Sequence, residues 1–225
     1  MKPINISTPV VYKDKFKFDT SAQVKAADEL FDMVDKYDID SALEEGGKST
    51  ADLFNILEPS NHFPHNLEVN NKYVVWLRQK MQYLRTAWRY DGYPHFISNS
   101  WYNEHYQWDY TDEHHHGVGL TCTAYILKPE NSGDLWIYDP MTAVRAAEPI
   151  SGNHPWRRIS VSEGDVVFFP SWLRHKTGYN DTNNRRLTLT MNITPDYKAY
   201  SKICLLYTSD AADEGLGVDL GGRRI

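Results

Sequence analysis

Cysteine is scarce in this chain: of 225 residues only Cys122 and Cys204 are cysteines. A disulfide framework is therefore excluded as the source of stability, and the thiol content fits a reducing, cytoplasmic setting. No apolar run approaches the roughly 20 residues that a helix needs to cross a bilayer, and the N-terminal stretch lacks the pattern of a secretory signal. A membrane partner is not expected. The sequons Asn5-Ile6-Ser7, Asn180-Asp181-Thr182 and Asn192-Ile193-Thr194 accordingly carry no expectation of glycosylation. A basic excess is also lacking. With a net charge of −6 the chain has no broad phosphate-binding surface, so nucleic acid is not an expected partner. A phosphate loop is missing too: Gly46-Gly47-Lys48-Ser49 ends like one, but Ala42 stands where the earlier glycine is required.

What is present divides into three stretches. Residues 1–95 read as a supporting region. Thr8 to Phe18 alternates like an edge strand or hairpin, with Pro9 favouring an edge. Ala22 to Tyr37 is helical, with Ala27, Leu30, Phe31 and Val34 on one face, and Tyr73 to Trp88 repeats the pattern with Val74, Trp76, Leu77, Met81 and Leu84. From 96 to 203 the period is two, through Ser98–Tyr110, Leu120–Leu127, Leu135–Tyr138, Ile159–Val161, Val166–Phe169 and Arg186–Ile193. Short strands without intervening helices predict a mainly β domain with flanking helices, a jelly roll (double-stranded β-helix). The long connection Asp139 to Trp156 is expected to form a lid or substrate wall. Trp101, Tyr102, Tyr106, Trp108 and Tyr110 are expected to pack the sandwich rather than line a pocket. Residues 204–225 resemble the translation of a sequencing-library adapter and are set aside as a non-native tail; without them the charge is −4, with Cys122 the one remaining thiol.

Within the β stretch, His114-His115-His116 precedes a single histidine at the end of Phe169-Pro170-Ser171-Trp172-Leu173-Arg174-His175, and Arg185-Arg186 follows. Extended side chains two apart share a face, so His114 and His116 can enter one cavity while His115 points away. With His175 they make a candidate set of three metal ligands that leaves positions open for oxygen and a co-substrate. A buried guanidinium pairs bidentately with a carboxylate, so an arginine beside the metal suits a diacid. Leu187 and Leu189 share one face while Arg186, Thr188 and Thr190 share the other, which turns Arg186 toward the polar side and Arg185 away.

These residues, together with Pro129-Glu130-Asn131-Ser132-Gly133-Asp134, Glu163-Gly164-Asp165 and Arg186-Leu187-Thr188-Leu189-Thr190-Met191-Asn192-Ile193, resemble the 2-oxoglutarate and Fe(II)-dependent oxygenases, in particular a group of short bacterial and phage members. The likeness spans roughly Ser98 to Pro195. It implies Fe(II) on His114, His116 and His175, and 2-oxoglutarate with its distal carboxylate on Arg186; from their place on neighbouring strands, Tyr125 and Asn103 are expected as further co-substrate contacts. It implies hydroxylation of a substrate with release of succinate and CO2, the substrate being a peptide or small molecule that these residues do not specify. The wider superfamily places a carboxylate where His116 stands. Three ligand sets therefore remain open: the all-histidine face, an oxygen from Asp112 or Glu113, or a one-residue slip presenting Glu113 and His115. The first is preferred because Gly117 then falls where a turn follows the H-x-H pair. A halogenase-like iron enzyme with an altered ligand set, or a metal-binding jelly roll without activity, would use the same scaffold.

Overall fold

The computed structural model describes residues 10–37, 46–55, 62–88, 94–142 and 154–196. The expected adapter tail and most of the expected lid lie outside these residues. Among the described residues, nine strands fall in two antiparallel sheets. In chain order they are β1 (Tyr12–Lys15), β2 (Lys48–Ser49), β3 (His95–His105), β4 (Leu120–Leu127), β5 (Leu135–Tyr138), β6 (Trp156–Ile159), β7 (Asp165–Pro170), β8 (His175–Thr177) and β9 (Arg186–Pro195). The larger sheet has the order β1-β7-β4-β9-β3-β2 and the smaller β6-β5-β8. This is a double-stranded β-helix with flanking helices.

Helix α1 (Thr20–Lys36) begins where the Asp19 carboxylate accepts the Ala22 backbone N–H, and α2 spans Asn71–Ala87. Their apolar stripes do what the spacing predicts. Leu30, Phe31, Val34, Leu77, Met81 and Leu84 pack in one core with Cys122, Ala124, Leu187, Leu189 and Met191 of the larger sheet. Burying a side chain of this size stabilises the fold by about 1.5–3 kcal/mol. The opposite face of β9 carries Arg186, Thr188 and Thr190, and with Tyr125 it lines a cavity between the sheets. The outermost strand β1 is guarded by charge: Lys13 and Lys15 lie 3.4 and 3.3 Å from the buried Asp165 carboxylate, and exposed lysines discourage edge-to-edge pairing.

Several boundaries differ from the sequence expectation for local reasons. β3 ends at His105, not Tyr110, because Trp108 adopts φ +73° and the Asp109 carboxylate accepts the Tyr106 N–H at 2.8 Å, closing a turn. β6 lies at Trp156–Ile159 rather than Ile159–Val161, since Ser162 already donates to the Asp165 carboxylate in the next turn. β8, only three residues long, is too short to show any periodicity in the sequence.

Candidate active site

The segment before β4 is tied to the smaller sheet by its backbone. His114 and His175 exchange N–H···O=C bonds of 3.0 and 2.9 Å, and the His116 N–H donates to the Ser171 carbonyl at 2.8 Å. That antiparallel bridge places three imidazoles together, with ring centroids 4.3 to 5.0 Å apart. One ligand atom from each of His114, His116 and His175 can be chosen so that all lie within 4.8 Å of one another. His114 Nδ1 donates to the Asp112 carbonyl at 2.7 Å and His175 Nδ1 to the Leu173 carbonyl at 2.8 Å. Each Nε2 is then left as a lone-pair donor, the usual outer-sphere arrangement of metal-binding histidines. His116 Nε2 and His175 Nε2 are 3.1 Å apart, the separation expected of two nitrogens at right angles about an ion roughly 2.1 Å from each.

Burial keeps these rings neutral. It lowers the pKa of His114, holds His175 well below the ordinary histidine value, and, with help from His114 and His115, lowers His116 to about 3. Neutral imidazole is the form that binds a metal, so the residues present fit a divalent ion. His115 is exposed, with its Nδ1 accepting the Gly117 N–H. Glu113 pairs with Arg174, and Asp112 contributes its backbone carbonyl to the His114 ring. The structure thus brings together the all-histidine set and does not bring Glu113 and His115 to His175.

The other expected residues line the same cavity. Arg186 is 1% exposed. Its Nη1 donates to the Ser132 and Gly178 carbonyls and its Nη2 to Thr177 Oγ1, while Nε has no hydrogen-bond partner among the described residues. No carboxylate ion-pairs with it among the described residues, and burial lowers its pKa to about 10. Arg185 points away, onto Glu104 and Asp28. Tyr125 is buried beside Arg186, its phenol pushed up by burial, and Asn103 stands opposite Thr188 with a buried, unpartnered Oδ1. The Pro129–Asp134 motif is explained by its fold. Gly133, at φ +81°, turns the β4–β5 connection over the guanidinium, where a Cβ would overlap the Gly178 carbonyl and come within 2.5 Å of Arg186 Nη1.

Sequence reasoning misplaced Trp101 and did not single out His105, Thr111, Thr123, Leu135 and Thr177, all of which line the cavity. Trp101 stacks on His116 at 5.2 Å and 16° and meets Phe54 edge-on. It therefore lines the pocket, against the expectation that the aromatic cluster packs the sandwich. Tyr102 does pack in the core, whereas Tyr106 and Trp108 are exposed on the turn after β3. His105, Thr111 and Thr177 surround Arg186. The alternation Trp101-Asn103-His105 would have identified His105 once Asn103 was placed inward.

Residues 99–192 match the family described as "Putative 2OG-Fe(II) oxygenase". Among curated proteins no sequence matches. Among solved structures, the chain is similar to HygX from Streptomyces hygroscopicus with nickel and 2-oxoglutarate bound (12% identity, 84% of each chain, TM-score 0.53) and to a Pseudomonas putida prolyl-4-hydroxylase (12% identity, 82% of this chain and 91% of that one, TM-score 0.52). It spans only 43% of an oxidoreductase of the 2OG-Fe(II) oxygenase family from Burkholderia pseudomallei, at 12% identity and TM-score 0.35. At these identities the likeness is one of fold.

Proposed function

We propose that this chain, which matches the 2OG-Fe(II) oxygenase family over residues 99–192, binds Fe(II) through His114, His116 and His175 and 2-oxoglutarate through Arg186, Tyr125 and Asn103, and oxidises a peptide or small molecule. The observation that carries the reading is the pairing, in one cavity, of three neutral imidazoles with a buried cation that has no ion-pair partner among the described residues. Arg186 begins β9 four residues before Thr190, and Thr190 pairs with Trp101, whose ring covers His116. About 13 Å of strand then separates the two ends, a distance that a five-carbon diacid and an arginine side chain fill together.

When bound, iron supplies oxygen activation coupled to decarboxylation of the 2-oxo acid, yielding succinate and CO2. The protein positions and excludes. The Asp112 and Leu173 carbonyls fix the His114 and His175 rings, Trp101 holds His116 by stacking, and Arg186 orients the co-substrate from its far end. The low dielectric around these groups strengthens the carboxylate–guanidinium pair relative to water. HygX, with nickel and 2-oxoglutarate bound, supports the metal and co-substrate assignment, and the prolyl-4-hydroxylase supports a prolyl-containing peptide as one substrate class.

The test is turnover. Iron-loaded protein with 2-oxoglutarate and a metabolite or peptide mixture should release succinate, and His116→Ala should abolish it. Absence of succinate across such mixtures, from protein that binds metal and 2-oxoglutarate, would overturn the enzymatic reading.

A further inference from the structure

β3 sends three side chains into the cavity, and the last of them, His105, plays no part in the histidine cluster. It is 1% exposed and lies opposite Arg186 in the β3–β9 register. Its Nε2 is 2.9 Å from Thr111 Oγ1, while Nδ1 is buried without a partner among the described residues. Across the strand pair, Arg186 Nε is orphaned in the same way. Buried polar atoms without partners are costly and uncommon, and here two of them face one cavity from one cross-strand pair. The ring is fixed from behind, since the backbone just before β2 approaches so closely that a methyl group on Gly47 would lie 3.0 Å from His105 Cδ2.

Resting on the co-substrate reading above, we propose that His105 is a second recognition residue for 2-oxoglutarate: its Nδ1–H donates to one oxygen of the distal carboxylate while Arg186 Nε–H donates to the other. The Thr111 hydroxyl then donates to Nε2, which fixes the Nδ1–H tautomer. An imidazole adds a directed donor without a second charge beside the guanidinium. Two donors rooted on different strands define one point in space, so the pair selects a diacid of one length over shorter or longer ones.

Calorimetric titration of nickel-loaded protein tests this with 2-oxoglutarate and with 2-oxopentanoate, which has the same carbon chain but no distal carboxylate. His105→Phe, a ring without donors, should weaken 2-oxoglutarate by about ten- to a hundredfold, the range of a hydrogen bond to a charged group, and leave 2-oxopentanoate unchanged. His105→Asn, whose amide nitrogen falls near the Nδ1 position, should recover most of the loss. Should the phenylalanine variant fold poorly, the wild-type His105 Nδ1–H proton resonance in zinc-loaded protein should still shift downfield with 2-oxoglutarate and not with 2-oxopentanoate, as a new hydrogen bond to a carboxylate requires. Equal weakening of both ligands, or an unchanged preference for the diacid in His105→Phe, would overturn the role of His105 alone. A wild-type protein that does not prefer 2-oxoglutarate over 2-oxopentanoate would overturn the co-substrate reading with it.

Discussion

Replacing Gly133 by alanine should be among the more damaging single-methyl additions available to this protein. Two costs combine. The residue sits at φ +81°, where an L side chain costs about 1–2 kcal/mol, and the added methyl meets the Gly178 backbone and the buried Arg186 guanidinium. Neither neighbour can yield freely, because Arg186 Nη1 is bonded to the Gly178 and Ser132 carbonyls; crowding of this kind costs a further 1–3 kcal/mol or so. The sum, about 2–5 kcal/mol, corresponds to a fall in Tm of about 4–20 °C for a chain of this size. Gly117 provides the control. It has φ +84° and no atom within 4 Å of the place a methyl would occupy, so Gly117→Ala should show the backbone cost alone, about 1–2 kcal/mol. Urea unfolding of the two metal-free variants, with equal m-values, measures the difference. If Gly133→Ala loses no more stability than Gly117→Ala, the close approach of this turn to Arg186 is wrong.

Metal binding should separate the three adjacent histidines: His114→Ala and His116→Ala should lose nickel affinity by more than about a hundredfold, beyond the range of outer-sphere changes, while His115→Ala should stay near wild type by calorimetry. A loss on His115→Ala equal to that on His116→Ala would refute the ligand set. Acid stability should follow His105, which burial and then Arg186 hold at about pKa 3, whereas the unfolded residue titrates near 6.5. Unfolding therefore takes up a proton between these values, so the contribution is complete above about pH 6.5 and declines as pH falls, by about 1.4 kcal/mol per pH unit. In metal-free protein His105→Asn should reduce the acid-side slope between about pH 6 and 5 by up to about 1.4 kcal/mol per pH unit, the remainder coming from His114, His116 and His175, whose pKa values are also lowered; an unchanged slope would mean that His105 is not held neutral by the fold.

The cavity was legible in the sequence where one rule governed it. Period two placed His114, His116, Arg186, Thr188 and Thr190 inward and Leu187, Leu189 and Met191 outward, and both helices followed their apolar stripes. What escaped depended on contacts between distant segments. Thr177 sits on a strand of three residues that exists only because β5 pairs with it. Trp101 has the same inward parity as Asn103, but whether an indole faces solvent, core or a histidine is decided by the position of the opposite sheet. The end of β3 depended on a positive φ at Trp108 that no residue preference announces.

On the proposed co-substrate reading, Arg186 faces two tasks that cannot be separated by mutation. Its two terminal nitrogens tie the β4–β5 turn and the end of β8 to the first residue of β9, while Nε has no hydrogen-bond partner among the described residues. A variant lacking the guanidinium loses a brace along with a ligand contact, so selection acting on co-substrate choice would find this position almost immovable. The neighbouring cross-strand residue is under no such double constraint. Drift or deliberate redesign of the preferred 2-oxo acid would accordingly proceed through His105 and Asn103, with the arginine retained even where its carboxylate partner has changed.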